Sequence, residues 1–194
     1  MDSLTPTTAL EAVNMMLATI DESPVNSLED SGLVDAVLAV QQLTATSRRT
    51  QAKGWHWNTE RCFTLTRDAA TGQIAVPQNT LKLVPSGEDK GRIVTVRGTR
   101  LYDPVKHTFS FDKSLTADLI VFLAFDEMPE TARQYVSLSA ARKFQQTRVG
   151  SEILNSFSMR DEVMAWSDLL NSEGEIADYN VITDNPSMVE MLFR

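Results

Sequence analysis

LIVFLAFDEMPE, residues 119–130, contains the switch on which the fold turns. Its first seven residues, Leu119 to Phe125, are apolar on both faces, which predicts the most buried strand of a sheet. Its last five, Asp126 to Glu130, gather carboxylates around Pro129. That composition suits a helix N-terminus, because acidic groups complement the positive end of the dipole and a first-turn proline gives up no needed N–H. A strand is therefore expected to pass almost directly into a helix.

Upstream of the switch the hydrophobic period is two. Phe63 and Leu65 alternate with Thr64 and Thr66, Leu81 and Leu83 flank Lys82, Val94 and Val96 flank Thr95, and Phe109 and Phe111 flank Ser110. Turn-forming residues separate these runs at 68–72, 86–91 and 103–104. Downstream the period is helical. Ala132, Tyr135, Val136, Ala140 and Phe144 trace one face up to Gly150, and a fourth helix is predicted over 151–171 with the stripe Met159, Val163, Trp166 and Leu170.

The opposite switch, from helix to strand, falls at KGWHWN, residues 53–58. A first helix is predicted over 7–19, with Thr5 as its cap and Pro6 near its first turn. A second runs over 31–53, with Leu33, Val37 and Val40 as one stripe and Val34 and Leu38 beside it. Arg48, Arg49 and Lys53 suit its C-terminal dipole, and Gly54 suits the residue just past its end. Trp55 and Trp57 then start the first strand on one face, closing the seam between helices and sheet, with His56 on the other.

The fold class that follows is α+β: a four-helix bundle-like layer with an antiparallel β region inserted between helices two and three. Residues 1–54 and 126–172 form the helical part, 55–125 the inserted β region, and 173–194 a C-terminal tail. That tail closes on an apolar cluster, Met188, Val189, Met191, Leu192 and Phe193, which is expected to dock on its own domain or on a partner.

The 194 residues carry a formal net charge of -8, which disfavours tight nucleic-acid binding by a basic face. Cys62 is the sole cysteine, so neither an intramolecular disulfide nor a cysteine-based zinc site is expected. Met1-Asp2-Ser3-Leu4 has neither the basic nor the apolar region of a signal peptide, and no run is long enough to span a membrane.

Chemistry-bearing motifs are sparse. Phosphate loops, G-x-S-x-G and H-E-x-x-H are absent. His56 lacks an orienting partner and a nucleophile in sequence, and His107 falls in a turn. Asp126/Glu127 reads as helix N-terminal charge and Asp161/Glu162 as a solvated face, since adjacent residues on a helix do not face each other. No catalytic residue, metal or cofactor is implied.

Three stretches together carry a family resemblance. They are 12–25 followed by Ser27-Leu28-Glu29, then Lys53 to Asn58, and then Phe125 to Glu130 followed by 140–145; Arg100-Leu101-Tyr102-Asp103 also looks like a hairpin of that family. The chain resembles the tail tubular protein A family, the head–tail adaptors of short-tailed bacteriophages. Trp55, Trp57, Asn58, Asp126, Glu127, Met128 and Pro129 are the motif positions, with a structural role expected of them.

The resemblance implies a virion protein assembled in the host cytoplasm into a dodecameric ring between the portal protein and the nozzle, tail tubular protein B. It would retain the packaged genome, pass double-stranded DNA without sequence-specific binding, and help seat tail fibres. Helices would pack side by side around the ring, with the β region pointing outward or toward the fibres. An acidic lumen would keep DNA from sticking. Met188, Met191, Leu192 and Phe193 would reach the portal. Two other readings stay open: a tail-associated polysaccharide hydrolase using Asp/Glu pairs, and a small-ligand-binding domain using Trp55 and Trp57.

Overall fold

The computed structural model describes residues 6–29, 33–150 and 152–184, with side chains of the last helix described over 159–175. Thr5 and the cluster from Met188 to Phe193 lie outside the described residues. The order is α1 (Ala9–Ala18), α2 (Val34–Gln51), β1 (Thr59–Leu65), β2 (Thr80–Pro85), β3 (Thr95–Arg97), β4 (Arg100–Tyr102), β5 (Leu115–Val121), α3 (Glu130–Arg148) and α4 (Glu152–Asp184). This is an α+β chain with its strands between the second and third helices, as the period change at both switches predicts. It divides into two compact units, residues 1–47 with 125–194, and residues 48–124.

In the helical unit, α1 is shorter than predicted and capped elsewhere. Thr8 forms a capping box: its hydroxyl accepts from the Glu11 N–H at 3.2 Å, and the Glu11 carboxylate accepts from the Thr8 N–H at 2.7 Å. Two reciprocal bonds fix the start of the helix at Ala9, so Pro6 lies before it. After the helix Asp21 adopts a left-handed conformation, φ 64°. The Asn14 amide then pins the returning segment, accepting from the Val25 N–H at 2.8 Å and donating to the Val25 carbonyl at 3.0 Å.

Helix α2 runs antiparallel to α3, with Asp35 paired to Arg148 at one end and Ser47 donating to the Met128 sulfur at the other. Its buried face is Ala36, Ala39, Leu43, Thr46 and Ser47, not the predicted stripe. Small residues let two helix backbones approach closely, so the large Val34, Val37 and Leu38 are left on the other side. Helix α3 buries Ala132, Val136, Ala140 and Phe144, following its predicted periodicity.

In the strand unit, three strands form a sheet of order β1-β5-β2, both pairs antiparallel, and β3-β4 is a separate hairpin. The most buried strand, Leu115–Val121, overlaps the predicted run Leu119 to Phe125 at 119–121 only: it starts and ends four residues earlier, and Phe125 belongs to a 3-10 turn. Leu115, Ala117, Leu119 and Val121 point to a core shared with Leu65, Ile74, Leu101 and Phe111. Phe109 and Phe111 belong to no strand, although they alternate. Asp103 captures the N–H groups of Val105 and Lys106 at 2.9 Å, closing a side-chain turn whose ends pair only in the single bridge Asp103–Thr108, while the Phe111 N–H donates to the Gly72 carbonyl.

Candidate functional site

The KGWHWN stretch is a buried polar staple. Gly54 sits past the end of α2 at φ 82°, and its N–H donates to the Gln51 carbonyl. Residues 56–58 form one 3-10 turn, with Trp55 just before it and Trp57 inside it, so neither begins a strand as predicted. Their rings still share a side, stacked 6.4 Å apart and 6° from parallel, with His56 exposed. The Trp55 indole N–H donates to the Thr50 carbonyl at 2.8 Å, which ties the ring to the last turn of α2.

Asn58 is the hub. Its carbonyl oxygen accepts from the Trp55 N–H at 2.8 Å, and its amide donates to the carbonyls of Gln51 at 2.9 Å and Val121 at 3.0 Å. Gln51, which sequence reasoning missed, does the same just past the end of β5: it accepts from the Leu123 N–H at 2.8 Å and donates to the Leu123 carbonyl at 3.0 Å. A glutamine in the last helical turn gives no local sign that its partner lies 72 residues away. Amides suit this task because each carries a donor and an acceptor, as a backbone unit does.

Gly54 makes the first test. An added Cβ would lie 2.5 Å from the Ile120 Cδ1 and would hold a positive φ. Gly54→Ala is expected to lower stability by about 1–3 kcal/mol, read as a lower urea midpoint. An unchanged midpoint would show that Ile120 moves aside without cost.

The Asp126–Pro129 junction is a clamp. Phe125–Glu127 is a 3-10 turn and Pro129 caps α3, so Glu130 is the first-turn acid, and Asp126 and Glu127 precede the helix as exposed groups. The sequence assigns that role to the wrong pair because the turn intervenes. Met128 is buried. The Arg133 guanidinium donates to the carbonyls of Met128 at 2.7 Å, Thr7 at 3.0 Å and Asp126, while Glu130 accepts from the Thr7 hydroxyl at 2.6 Å and the Thr7 N–H at 2.9 Å. Two charged residues one turn apart thus bind the segment entering α1 to the start of α3.

Burial pushes the Glu130 carboxyl up, but the Thr7 hydroxyl, the Gln134 amide, the Thr7 N–H and Arg133 together hold it below its usual value. Asp89 is held low by the Thr116 N–H, against the opposing effect of burial, with help from Lys113 and Arg92. Asp118 is held low by the Cys62 N–H, at 2.8 Å, where Cys62 forms a left-handed bulge in β1. Each group binds a proton less readily folded than unfolded. Stability from all three is therefore complete above about pH 5 and falls as pH drops through about 4 and below. The urea midpoint at about pH 3 should lie well below that at pH 7, and Asp118→Asn should flatten the difference. Equal midpoints at both values would remove this account.

The helices also present unused apolar surface. The stripe Met159, Val163 and Leu170 exists on α4 but not in its own core, at 55, 58 and 45% exposed. α4 buries Ala165 and Leu169, and only Trp166 of the predicted stripe is half-buried, 4.9 Å from the Tyr135 ring. On α2, Val34 and Val37 are 71 and 50% exposed. Between α2 and α3 lies a groove lined by Leu38, Gln41, Gln42, Ala45, Phe144 and Arg148. Exposed apolar stripes of this kind are a common mark of surfaces that meet other molecules.

Glu162 is engaged by Arg142, and Asp161 is exposed beside it. Among the described residues no group of His, Cys, Asp and Glu is arranged to hold a metal ion, and no helix is long and apolar enough to cross a membrane.

A family model described as "Tail tubular protein" matches residues 10–179. The chain is 32% identical over 129 residues to "Tail tubular protein A" of Klebsiella phage KP34, a stretch covering 66% of each chain. The match spans both switches, the amide staple and the Glu130–Arg133 clamp. The chain therefore belongs to the tail tubular protein A family of short-tailed bacteriophages, and is a structural component of the virion tail.

Proposed function

We propose that this tail protein is a head-to-tail adaptor: a dodecameric ring between the portal protein and the nozzle built by tail tubular protein B. It retains the packaged DNA, passes it during ejection and helps seat the tail fibres. The family membership supports this reading, and one observation carries it. Met159, Val163 and Leu170 on α4, with Val34 and Val37 on α2, leave two apolar stripes open to solvent. Stripes of that kind on helices of one unit fit side-by-side packing of copies around a closed ring, in which each copy meets its neighbour through two different faces. Asp126, Glu127, Met128 and Pro129, with Trp55, Trp57 and Asn58, serve as the scaffold that holds the helices in place. The C-terminal cluster Met188, Met191, Leu192 and Phe193 contacts the portal. Assembly takes place in the host cytoplasm. The protein carries out no chemistry of its own in this role.

Light scattering of the chain with and without its cognate portal ring tests the proposal. A ring by itself, or a monomer that binds portal stoichiometrically, is the expected result. A monomer indifferent to portal would overturn the adaptor role. A chain truncated after Glu175 that binds portal undiminished would overturn the part given to the C-terminal cluster.

A further inference from the structure

The net charge of -8 is an average of two opposite values. Residues 48–124 carry 12 Lys and Arg against 7 Asp and Glu, a formal net of +5, and the rest of the chain carries 6 against 19, a net of -13. The changeover falls within one helix, near the end of α2.

The exposed face of α2 changes character along its length. Val34, Val37 and Leu38 come first, Gln41 and Ala45 follow, and Arg48 and Arg49 close it. Helical periodicity sets all of them within about 60° of one line. Asp35 flanks the apolar end, where it already pairs with Arg148. Arg48 also rests over the Phe122 ring, 5.4 Å from its centroid.

The exposed face of α4 has the opposite order of charge. Arg160 comes first, Val163 and Met164 follow, and Glu175 closes it, with the small Ser167 and Gly174 between. Gly174 has no use within its own chain. Glycine inside a helix is destabilising relative to alanine, yet Gly174 has no positive φ and an added Cβ would meet nothing within 4 Å. Close approach by another chain gives it a reason.

The two faces are complements. On α2 an acid precedes Arg48 and Arg49 by 13 and 14 positions, and on α4 a base precedes Glu175 by 15. Those spacings are about 20 Å and about 22 Å along the axes. An apolar pair follows the first charge on both. Parallel helices with Val37 beside Val163 put Leu38 beside Met164 and Asp35 within one position of Arg160. Arg48 then crosses Gly174 to reach Glu175. Antiparallel helices would set Asp35 against Glu175 and Arg48 against Arg160, like charge on like.

We propose that α2 of one copy packs in parallel on α4 of the next copy, in this register, as the contact that closes the ring. The inference rests on the adaptor reading for the ring itself, and it names the faces and the register that build it. The match of the two faces to each other selects a second copy as the occupant. Within one chain α3 stands between them, pairing Arg148 with Asp35 of α2 and Arg142 with Glu162 of α4. Direction agrees as well. α3 is antiparallel to α2, and antiparallel to α4, where Tyr135 lies against Trp166 and Arg142 against Glu162. α2 and α4 thus run the same way in each copy. A twelvefold ring turns its neighbour by only about 30°, which preserves that sense.

The test is disulfide trapping in the full chain carrying Cys62→Ser, oxidised alone and with portal. Val37→Cys with Val163→Cys should give a ladder of linked copies on a non-reducing gel. Val37→Cys with Leu170→Cys lies about 10 Å out of this register and should give little. A ladder from the second pair in place of the first would overturn the parallel register. No ladder from the first pair, in a sample that light scattering shows to be assembled, would overturn the contact and leave the adaptor reading standing. A ladder from the first pair with neither ring nor portal binding would uphold the contact and overturn the adaptor reading. A chain that never associates would overturn both. Glu175→Arg and Arg48→Glu should each raise the concentration for half-assembly at least about tenfold, and the two together should restore most of the loss. Additive losses would overturn the pairing of Arg48 with Glu175. Unfolding midpoints confirm that each variant is folded.

Discussion

Asn58→Ala is expected to destabilise the protein by about 3–5 kcal/mol, the largest effect of any single polar substitution in the strand unit. The side chain is 1% exposed, and its removal would take the acceptor from the Trp55 N–H and a donor from each of the carbonyls of Val121 and Gln51, the latter keeping the Gly54 N–H. A buried donor or acceptor left without a partner costs about 1–3 kcal/mol, so the loss far exceeds that of one hydrogen bond. Asn58→Asp should be at least as harmful although it is nearly isosteric. A carboxylate would keep the bond from Trp55 but face two carbonyls that it cannot satisfy. Urea unfolding followed by tryptophan fluorescence measures both, since Trp55 and Trp57 stack beside the site. A loss below about 1 kcal/mol for either variant would mean that water replaces the amide, and the staple would not be a stability element.

Val163→Glu with Leu170→Glu is expected to leave the folded chain almost unchanged and to abolish its assembly. Both side chains are about half exposed, so removing them empties no core, and the cost to folding should stay within about 0.5 kcal/mol per site. In an assembled ring the same positions would be covered. Burying an unpaired carboxylate at each is costly enough to weaken association by about a hundredfold or more. Circular dichroism and the unfolding midpoint check the first half, and light scattering with portal checks the second. Assembly at the parent concentration would show that the α4 stripe faces solvent in the ring. Loss of the fold would instead show that α4 needs these side chains within its own subunit.

Three helices explain why part of the fold was legible and part was not. On α3, Ala132, Val136, Ala140 and Phe144 were expected in the core and are there. On α4 the stripe Met159, Val163, Trp166, Leu170 was equally regular, yet the core takes Ala165 and Leu169 from the face beside it. On α2 the core takes Ala36, Ala39 and Leu43 and turns Val34 and Val37 away. Periodicity reports that a helix has an apolar face; it does not report whether that face meets its own chain or another. A subunit of an assembly carries both kinds, and size alone misleads, because close helix packing favours alanine.

The strand unit teaches a related lesson. Gly54 was readable as the residue past a helix end because the rule is local. Asn58 was readable only as a motif position, and Gln51 not at all, because their partners at Val121 and Leu123 are 63 and 72 residues distant. Phe109 and Phe111 satisfied the strand period, but pairing beside them stops at the single bridge of Thr108 to Asp103, and the Phe111 N–H goes to the distant Gly72 carbonyl.

By itself the sequence determined the α+β class, the order of helices and strands, a buried strand ahead of α3 though not its bounds, and the family, since each rests on local periodicity, turn chemistry or motif spacing. The tertiary structure decided which helix faces are core and which are left exposed, which amides replace backbone partners, and how a charge of -8 divides into a basic and an acidic unit. Those depend on which distant segments meet, and a hydrophobic or polar side chain carries no mark of its partner until the chain has closed upon itself.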